Sequence, residues 1–307
     1  MRPPRRLASL TVAALLAILG RLSPAMRQRL AHATASAVLA CARSTRLRLL
    51  DNVRQAFPRL DEDEVRRIGC RSYQTIYAGV LDTFWLNDLR LDIDCDDNAR
   101  RTLVGEHGAI AITLHTCCYE AASLAVQRLT GRSTTLSYVP TYLTQGFDFY
   151  RNAGIEWIHK KAPGAFFSLV DAARRGRFVT LHGDHHANDV GVHFFERPTG
   201  APCGGPMLSA LAGRPLLLAY AQCVDAGHYR VCFETLSAQP VARDRHALAR
   251  TTQHLYARFE QIIRERPEEW YWSYKRWRPR ETPKRTSASP PARSKTAAPT
   301  SCDGTGG

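Results

Sequence analysis

Acidic residues are scarce in this chain: 28 Asp and Glu stand against 42 Lys and Arg, leaving a net charge of +14. A charge this positive favours an anionic partner, such as a nucleic acid, an anionic membrane surface or an acidic protein. The arginines are spread from Arg2 to Arg293 and accompany no nucleic-acid-binding motif. We therefore expect a membrane surface, and no nucleic acid, as the partner.

Cysteines with metal-ligand spacing are also missing. None of the nine cysteines forms a CxxC pair, and only Cys117 and Cys118 are adjacent. A scattered, odd-numbered set differs from the dense disulfide framework of a small secreted domain and gives no support for a cysteine zinc site. We expect reduced, mostly buried thiols in a cytosolic compartment.

The N-terminal apolar run is too short to cross a bilayer as a straight helix. Residues 7–20 would extend about 21 Å, whereas the hydrocarbon core measures about 30 Å. Arg21, Arg27 and Arg29 follow the run, and positive charge there favours retention on the cytoplasmic side. We therefore expect a short, tilted or interfacial anchor over 1–25. A signal peptide ending near Ala25 and a buried core helix are the alternatives.

Helix and strand patterns alternate after residue 108, which indicates an α/β fold. Upstream, residues 26–50 resemble an amphipathic interfacial helix, and Asp61 with Glu64 forms a capping box that starts another helix. The predicted strands cover 108–114, 133–139, 155–158, 178–182, 215–224 and 228–236. The predicted helices cover 116–129, 163–176, 206–213 and 242–265, with a long loop over 184–204.

This order predicts a three-layer α/β sandwich with a mixed, mostly parallel central sheet, preceded by N-terminal membrane-associated helices. The last two strands are expected to be antiparallel neighbours. Functional residues of such folds lie at the carboxyl ends of the strands. Residues 281–307 are rich in Pro, Ser, Thr and small residues and are expected to be a disordered tail. The folded domain would therefore span 26–280.

His115 is the first candidate for chemistry, because it follows the first buried strand and precedes a helix. Glu120 comes five residues later. An imidazole at a strand end suits a general base, and a nearby carboxylate can fix its tautomer and stabilise the imidazolium. The alternative is a histidine that caps the helix and an acid that its dipole favours in the first turn.

A second cluster, LHGDHHAND with His193 beyond it, follows the strand at 178–182. Its polar side chains are His182, Asp184, His185, His186, Asp189 and His193. Histidine and aspartate at this density are typical of metal sites. The alternative is a polar loop of an active site in which one or two members act.

A third segment, PEEWYWSYKRWRPR (267–280), interleaves tryptophan, tyrosine and basic residues. Such a segment can stack on bases, form an interfacial aromatic belt, or pack its rings against the domain. The interfacial belt and the packing against the domain are compatible interpretations.

Taken together, these landmarks resemble the late acyltransferases of bacterial lipid A biosynthesis, within the lysophospholipid acyltransferase superfamily. The matching segments, in the family's order, are NVRQAFP (52–58), HTCCYE (115–120), YVP (138–140), FYRNAG with Arg151, GDHH with VGVHFFERPTG (183–200) and EEWYWSYKRWRPR. The resemblance covers about residues 7–280. Two positions depart from it, since Val139 replaces the usual arginine and Glu196 the usual glycine.

The resemblance implies an enzyme that transfers a fatty acyl group from an acyl thioester to a hydroxyl of a lipid or glycolipid. His115 and Glu120 would be catalytic, and Arg151 and Asp184 would bind substrate in the same cleft, with no metal or other cofactor. An acyl carrier protein is the expected donor, with acyl-CoA as the alternative, at the cytoplasmic face of the bacterial inner membrane.

Two rival functions remain open at this point. One is a metallohydrolase that uses the 182–193 cluster, and the other is a non-catalytic, basic, peripheral membrane-binding protein.

Overall fold

The computed structural model describes residues 5–139 and 148–278, with side chains from residue 11 onward. Four helices come first: α1 (Arg5–Leu19), α2 (Pro24–Cys41), α3 (Arg43–Ala56) and α4 (Glu62–Asp82), then a 3₁₀ segment, Thr83–Asp88. Asp61 caps α4 by accepting the Glu64 N–H at 2.8 Å, which confirms the predicted helix start. The expected interfacial helix over 26–50 is two helices, which meet at Ala42.

Strands and helices alternate in the rest of the chain. The strands are β1 (Arg90–Cys95), β2 (Ile110–Thr113), β3 (Ser133–Ser137), β4 (Glu156–His159), β5 (Phe178–His182), β6 (Val190–Phe194), β7 (Arg197–Ala201), β8 (Leu216–Asp225) and β9 (His228–Ser237). The helices are α5 (Asp97–Val104), α6 (Ala121–Thr130), α7 (Phe149–Asn152), α8 (Ala165–Arg174), α9 (Gly204–Ala212) and α10 (Arg245–Glu265). A short 3₁₀ turn, Pro267–Glu269, follows α10.

Seven strands form one sheet in the order β1-β9-β8-β2-β5-β3-β4. Every neighbouring pair is parallel except β8 and β9. The mostly parallel sheet and the antiparallel pair of β8 and β9 confirm the predicted α/β fold with a mixed, mostly parallel sheet. Because β2 is central, the residue that follows it lies in the middle of the carboxyl edge.

Both faces of the sheet are buried, as three layers require. Ile110 and Ile112 of β2 belong to one core cluster, with residues of α3, α4 and α8 to α10. Ala111 belongs to the other cluster, with residues of α5 and α6. Strands covered on both sides read as continuous apolar runs, which is the pattern that revealed β2.

The prediction of a long loop over 184–204 is wrong, because β6 and β7 form an antiparallel hairpin there. Its turn contains Phe195 and Glu196, whose φ angles are 52° and 58°. Two-residue hairpin turns with positive φ usually contain Gly, Asn or Asp, and none occurs at this turn. The usual sequence signal of a hairpin was therefore missing.

The eight cysteines in the described part of the chain are free thiols. Cys117, Cys118 and Cys232 are buried, whereas Cys41 and Cys70 are exposed. Cys95, Cys203 and Cys223 are half-buried, so six of the eight described thiols are at least partly buried and two depart from the expectation.

Within the described ranges, we find no helix with both the length and the apolar content needed to span a bilayer. In α1, Leu16 and Leu19 are buried, whereas Leu15 and Ile18 are exposed. The predicted disordered tail, 281–307, lies outside the described residues.

Candidate active site

His115 lies in the connection between β2 and α6, at the carboxyl edge of the sheet. The segment after α10 holds this connection in place. The Cys117 N–H donates to the Glu269 carbonyl at 2.8 Å, and the Tyr271 N–H donates to the His115 carbonyl at 3.1 Å. The backbone that carries the imidazole is therefore held by two hydrogen bonds, one at His115 itself and one two residues after it.

A tight turn follows His115 and requires a glycine on a neighbouring helix. Cys117 has a φ of 31°, a conformation that costs a non-glycine residue on the order of 1–3 kcal/mol. A Cβ at Gly79 of α4 would lie 2.2 Å from the Cys117 carbonyl oxygen. Only glycine therefore lets α4 approach the turn this closely.

Asp184 is the carboxylate that holds the His115 ring. Its Oδ1 lies 2.6 Å from His115 Nδ1, and its Oδ2 accepts the His115 backbone N–H at 2.9 Å. Trp270 Nε1 donates to the same Oδ2 at 2.8 Å. His115 is 8% exposed and Asp184 2% exposed. The ring therefore has a fixed orientation, with Nε2 as its remaining nitrogen.

The register of the sheet brings these two residues together across 69 positions of sequence. β2 and β5 are parallel neighbours with Thr113 opposite His182, so both chains leave the sheet at the same level. Gly183 lets the chain pass close to β2 there, because a Cβ would lie 2.5 Å from Ile112 Cγ2. Asp184 then reaches the histidine that follows β2.

The environment keeps Asp184 ionised. Burial by itself would raise the pKa of Asp184, but the adjacent His115 and its two hydrogen bonds outweigh burial and hold that pKa well below its usual range. An ionised carboxylate at Nδ1 favours the tautomer in which Nδ1 carries the proton. Nε2 is then free to accept a proton, as a general base must.

The expectation that Glu120 orients His115 is wrong, because Asp184 occupies that position. Glu120 lies nearby, but its Oε1 accepts a hydrogen bond from the Tyr150 hydroxyl at 2.6 Å and lies 3.9 Å from His182 Nε2. The five positions from His115 to Glu120 include the tight turn at Cys117. That turn carries Glu120 away from Nδ1 and towards the neighbouring strand.

Three histidine rings and a tyrosine form a continuous stack. The His115 ring lies 4.1 Å from the His182 ring and 4.2 Å from the His185 ring, and His185 stacks on Tyr274 at 4.2 Å. Burial, reinforced by His115, lowers the pKa of His182 and lowers that of His185 to about 3. His182 and His185 therefore stay neutral near pH 7.

A cleft of about 670 Å³ opens beside this stack. One part of its wall is polar and includes His115, Glu120, His182 and His185. The remaining wall is largely apolar, with Val80, Phe84, Leu136, Val139, Phe149, Phe166, Leu169 and Leu181. A site of this kind suits a substrate with a reactive polar group and a hydrocarbon chain.

Comparison with known families identifies the class of enzyme. A model of the bacterial lipid A biosynthesis acyltransferases matches residues 1–279. The chain belongs to this family. It is therefore an acyltransferase that uses an acyl donor and a lipid acceptor. A search of curated protein sequences found no match to this chain.

Arg151 does not share the position expected of it in this acyltransferase. Its side chain is 86% exposed and pairs with Asp148 at 3.7 Å, and it is not among the described residues that line the cleft. Its neighbour Tyr150 is buried and reaches Glu120. A substrate-binding role for Arg151 remains a prediction. Of the YVP motif, Tyr138 and Val139 line the cleft, and Pro140 lies outside the described residues.

The 182–193 cluster does not converge on one point. His193 lies on the β6 strand with its side chain exposed. Asp184 and His185 share a possible metal-ligand group with His115, with ligand atoms within 4.8 Å of one another. Asp184 Oδ1 and His115 Nδ1 are 2.6 Å apart and are already engaged with each other in a direct hydrogen bond.

The aromatic segment packs against the domain, as one of its three readings expected. Trp270, Trp272 and Arg276 are almost completely buried. Arg276 donates to Thr199 Oγ1 and the Gly200 carbonyl of β7. The role of Trp270 beside Asp184 was not predicted. The sequence showed only that Trp270 belongs to the aromatic segment, and its partner Asp184 lies 86 positions earlier.

Proposed function

We propose that this protein transfers a fatty acyl group from an acyl thioester, carried by an acyl carrier protein, to a hydroxyl of a lipid or glycolipid such as a lipid A precursor. The observation that carries the proposal is the Asp184–His115 pair at the polar end of an apolar cleft. Family membership supports acyl transfer to a lipid, and the geometry supports His115 as the general base.

The reaction needs one base and no acyl-enzyme intermediate. His115 Nε2 takes the proton of the acceptor hydroxyl, and the resulting oxygen attacks the thioester carbonyl carbon. The tetrahedral intermediate collapses, the carbon–sulfur bond breaks, and the thiolate recovers the proton from the imidazolium. Asp184 holds the neutral ring in the tautomer with its proton on Nδ1 and then stabilises the imidazolium. The neutral His182 and His185 rings on either side add no like charge to oppose it.

The apolar cleft wall supports a long acyl chain as part of the substrate. Phe84, Val139, Phe149 and Leu169 line it, and burying each methylene contributes about 0.8 kcal/mol. The net charge of +14 would attract a strongly acidic carrier protein. The same charge supports association with an anionic membrane.

We place the protein at the cytoplasmic face of the inner membrane through its N-terminal helices. Leu15, Ile18, Met26 and Leu30 of α1 and α2 are exposed apolar side chains, and arginines are interspersed between them. Apolar and basic residues together suit the headgroup region of a bilayer. Flotation with anionic vesicles tests this, and loss of binding on Leu15→Asp with Ile18→Asp would support it.

The decisive experiment is the His115→Ala variant. A general base contributes about 10²–10⁴-fold to rate, so turnover of an acyl-carrier-protein donor per folded molecule should fall by at least about 100-fold, beyond any loss of stability from leaving the buried Asp184 without its partner. His228→Ala is the matched control, because His228 also pairs with an aspartate, Asp92 at 2.9 Å, and does not line the cleft. A folded His115→Ala enzyme with the wild-type rate would overturn the proposal.

A further inference from the structure

Glu120 is a buried carboxylate for which the proton transfer at His115 has no use. It is 4% exposed, it precedes α6 without capping it, and it lines the cleft beside His115. Asp184 already supplies the carboxylate that the imidazole needs. A carboxylate in this position therefore requires another explanation.

The two oxygens of Glu120 have different surroundings. Oε1 accepts the hydroxyl of Tyr150, which is itself buried, at 2.6 Å. His182 Nε2 lies 3.9 Å from the same oxygen. Oε2 is buried and has no hydrogen-bond partner within the described residues. Since an unpartnered buried carboxylate oxygen is costly, this oxygen needs a donor that the described residues do not supply.

We infer that Glu120 Oε2 accepts a hydrogen bond from an uncharged N–H or O–H group of the bound substrate, next to the reacting thioester. This inference rests on the proposed function, since it concerns the same cleft. The role makes Glu120 a substrate-binding residue and leaves the orientation of His115 to Asp184. Substrates that carry such a donor would be preferred, because buried polar groups left unpaired reject analogues that lack it.

Two parts of the reaction mixture carry such donors. The pantetheine arm of a carrier-protein or CoA thioester contains amide N–H groups, and a glycolipid acceptor contains further hydroxyl and amide groups. Four probes separate these sources. The donor pair is a fatty acyl thioester of N-acetylcysteamine, which has an amide N–H, and the same acyl thioester of propanethiol, which has none. The acceptor pair is a lipid A precursor and a long-chain alcohol with no other O–H or N–H.

The test compares Glu120→Gln with the wild type on these probes. Because the amide oxygen of Gln can still accept, Glu120→Gln turns a charge-assisted hydrogen bond into a neutral one, which should change kcat/KM by about 5- to 13-fold. We expect a loss of that size with the full substrates. With the probe that lacks the hydrogen-bonding N–H or O–H group, we expect the kcat/KM values of the variant and the wild type to agree within about twofold. In one of the two pairs, the loss in Glu120→Gln should disappear when the donor group is missing. That pair identifies which substrate supplies the hydrogen bond to Glu120.

Two readouts separate this role from a purely structural one. The pH dependence of kcat/KM should be unchanged in Glu120→Gln, because Asp184 still holds His115. Glu234→Gln is the matched control: its carboxylate is fully engaged by Tyr220 and Arg258, and we expect no dependence on the probe. A shifted pH profile, an equal loss on all four probes, or no loss on any of them would overturn the inference.

Failure of this inference can be told from failure of the proposed function. Binding of a non-reactive thioether analogue of each donor is measured by calorimetry, which needs no turnover. If His115→Ala retains the wild-type rate, the proposed function fails, whatever the Glu120 variants do. If His115→Ala is inactive and the Glu120→Gln losses do not depend on the probe, only the inference fails.

Discussion

Replacing Asp184 with asparagine should place the proton of His115 on the wrong nitrogen. Oδ2 of Asp184 receives two N–H donors, from the His115 backbone and the Trp270 ring. In Asp184→Asn the amide oxygen must therefore take the Oδ2 position, since an NH₂ group there would face both donors. The NH₂ group then replaces Oδ1 and donates to His115 Nδ1, which forces the ring proton onto Nε2.

A ring with its proton on Nε2 has no lone pair there to accept the proton of the substrate hydroxyl. We expect kcat to fall by about 10²–10⁴-fold, the usual contribution of a general base. Stability should fall by about 1–1.5 kcal/mol, since a charge-assisted hydrogen bond becomes a neutral one. Initial rates with a thioester donor measure the first effect, denaturant unfolding the second, and imidazole ¹⁵N chemical shifts identify the tautomer.

Asp82→Asn is the control for the loss of a buried carboxylate. Asp82 is 5% exposed and accepts the hydroxyl of Tyr229, but it contacts no histidine of the stack. The Asp82→Asn variant should have a lower free energy of unfolding and an unchanged activity per folded molecule. A folded Asp184→Asn enzyme with wild-type kcat, or with its proton still on Nδ1, would refute the reasoning.

Two further changes test how the site is built. Gly79→Ala should displace the turn after His115, because the new Cβ meets the Cys117 backbone; we expect a loss of about 1–3 kcal/mol and of activity per folded molecule. Its control on the same helix, Gly69→Ala, meets only leucine side chains and should keep its activity, so equal activities would contradict this. His185→Phe should make stability less dependent on pH. With a folded pKa near 3 and an ordinary value near 6.5, the unfolded chain binds the proton first, and stability falls as the pH drops through that window by up to about 1.4 kcal/mol per unit. Unfolding curves of both proteins at pH 7.5 and pH 5 measure the difference, and parallel pH dependences would count against it.

Local pattern was enough to predict the elements that carry the site. β2 follows from a continuous apolar run and β5 from a mostly apolar one interrupted by Thr180, because helices cover both faces of the sheet. A polar residue directly after such a strand lies at the carboxyl edge, and for this reason both His115 and Asp184 were predicted as site residues. The Asp61 cap and the antiparallel β8–β9 pair were equally local.

Pairings between distant residues could not be obtained in the same way. The spacing of His115 and Glu120 predicted a catalytic pair, but the strained turn at Cys117 separates them, and the pairing of β2 with β5 supplies Asp184 instead. Arg151 was placed in the cleft by its motif, whereas its short helix leaves the side chain exposed and puts Tyr150 inside.

The sequence by itself determined the layered α/β fold, the strand ends and the residue types available there, because hydrophobic periodicity and capping act within a few residues. The tertiary structure decided which carboxylate serves the imidazole, which oxygen is left for a substrate, and that Trp270 completes the network. These depend on strand order and register, through which residues 69 to 86 positions apart come within hydrogen-bonding distance.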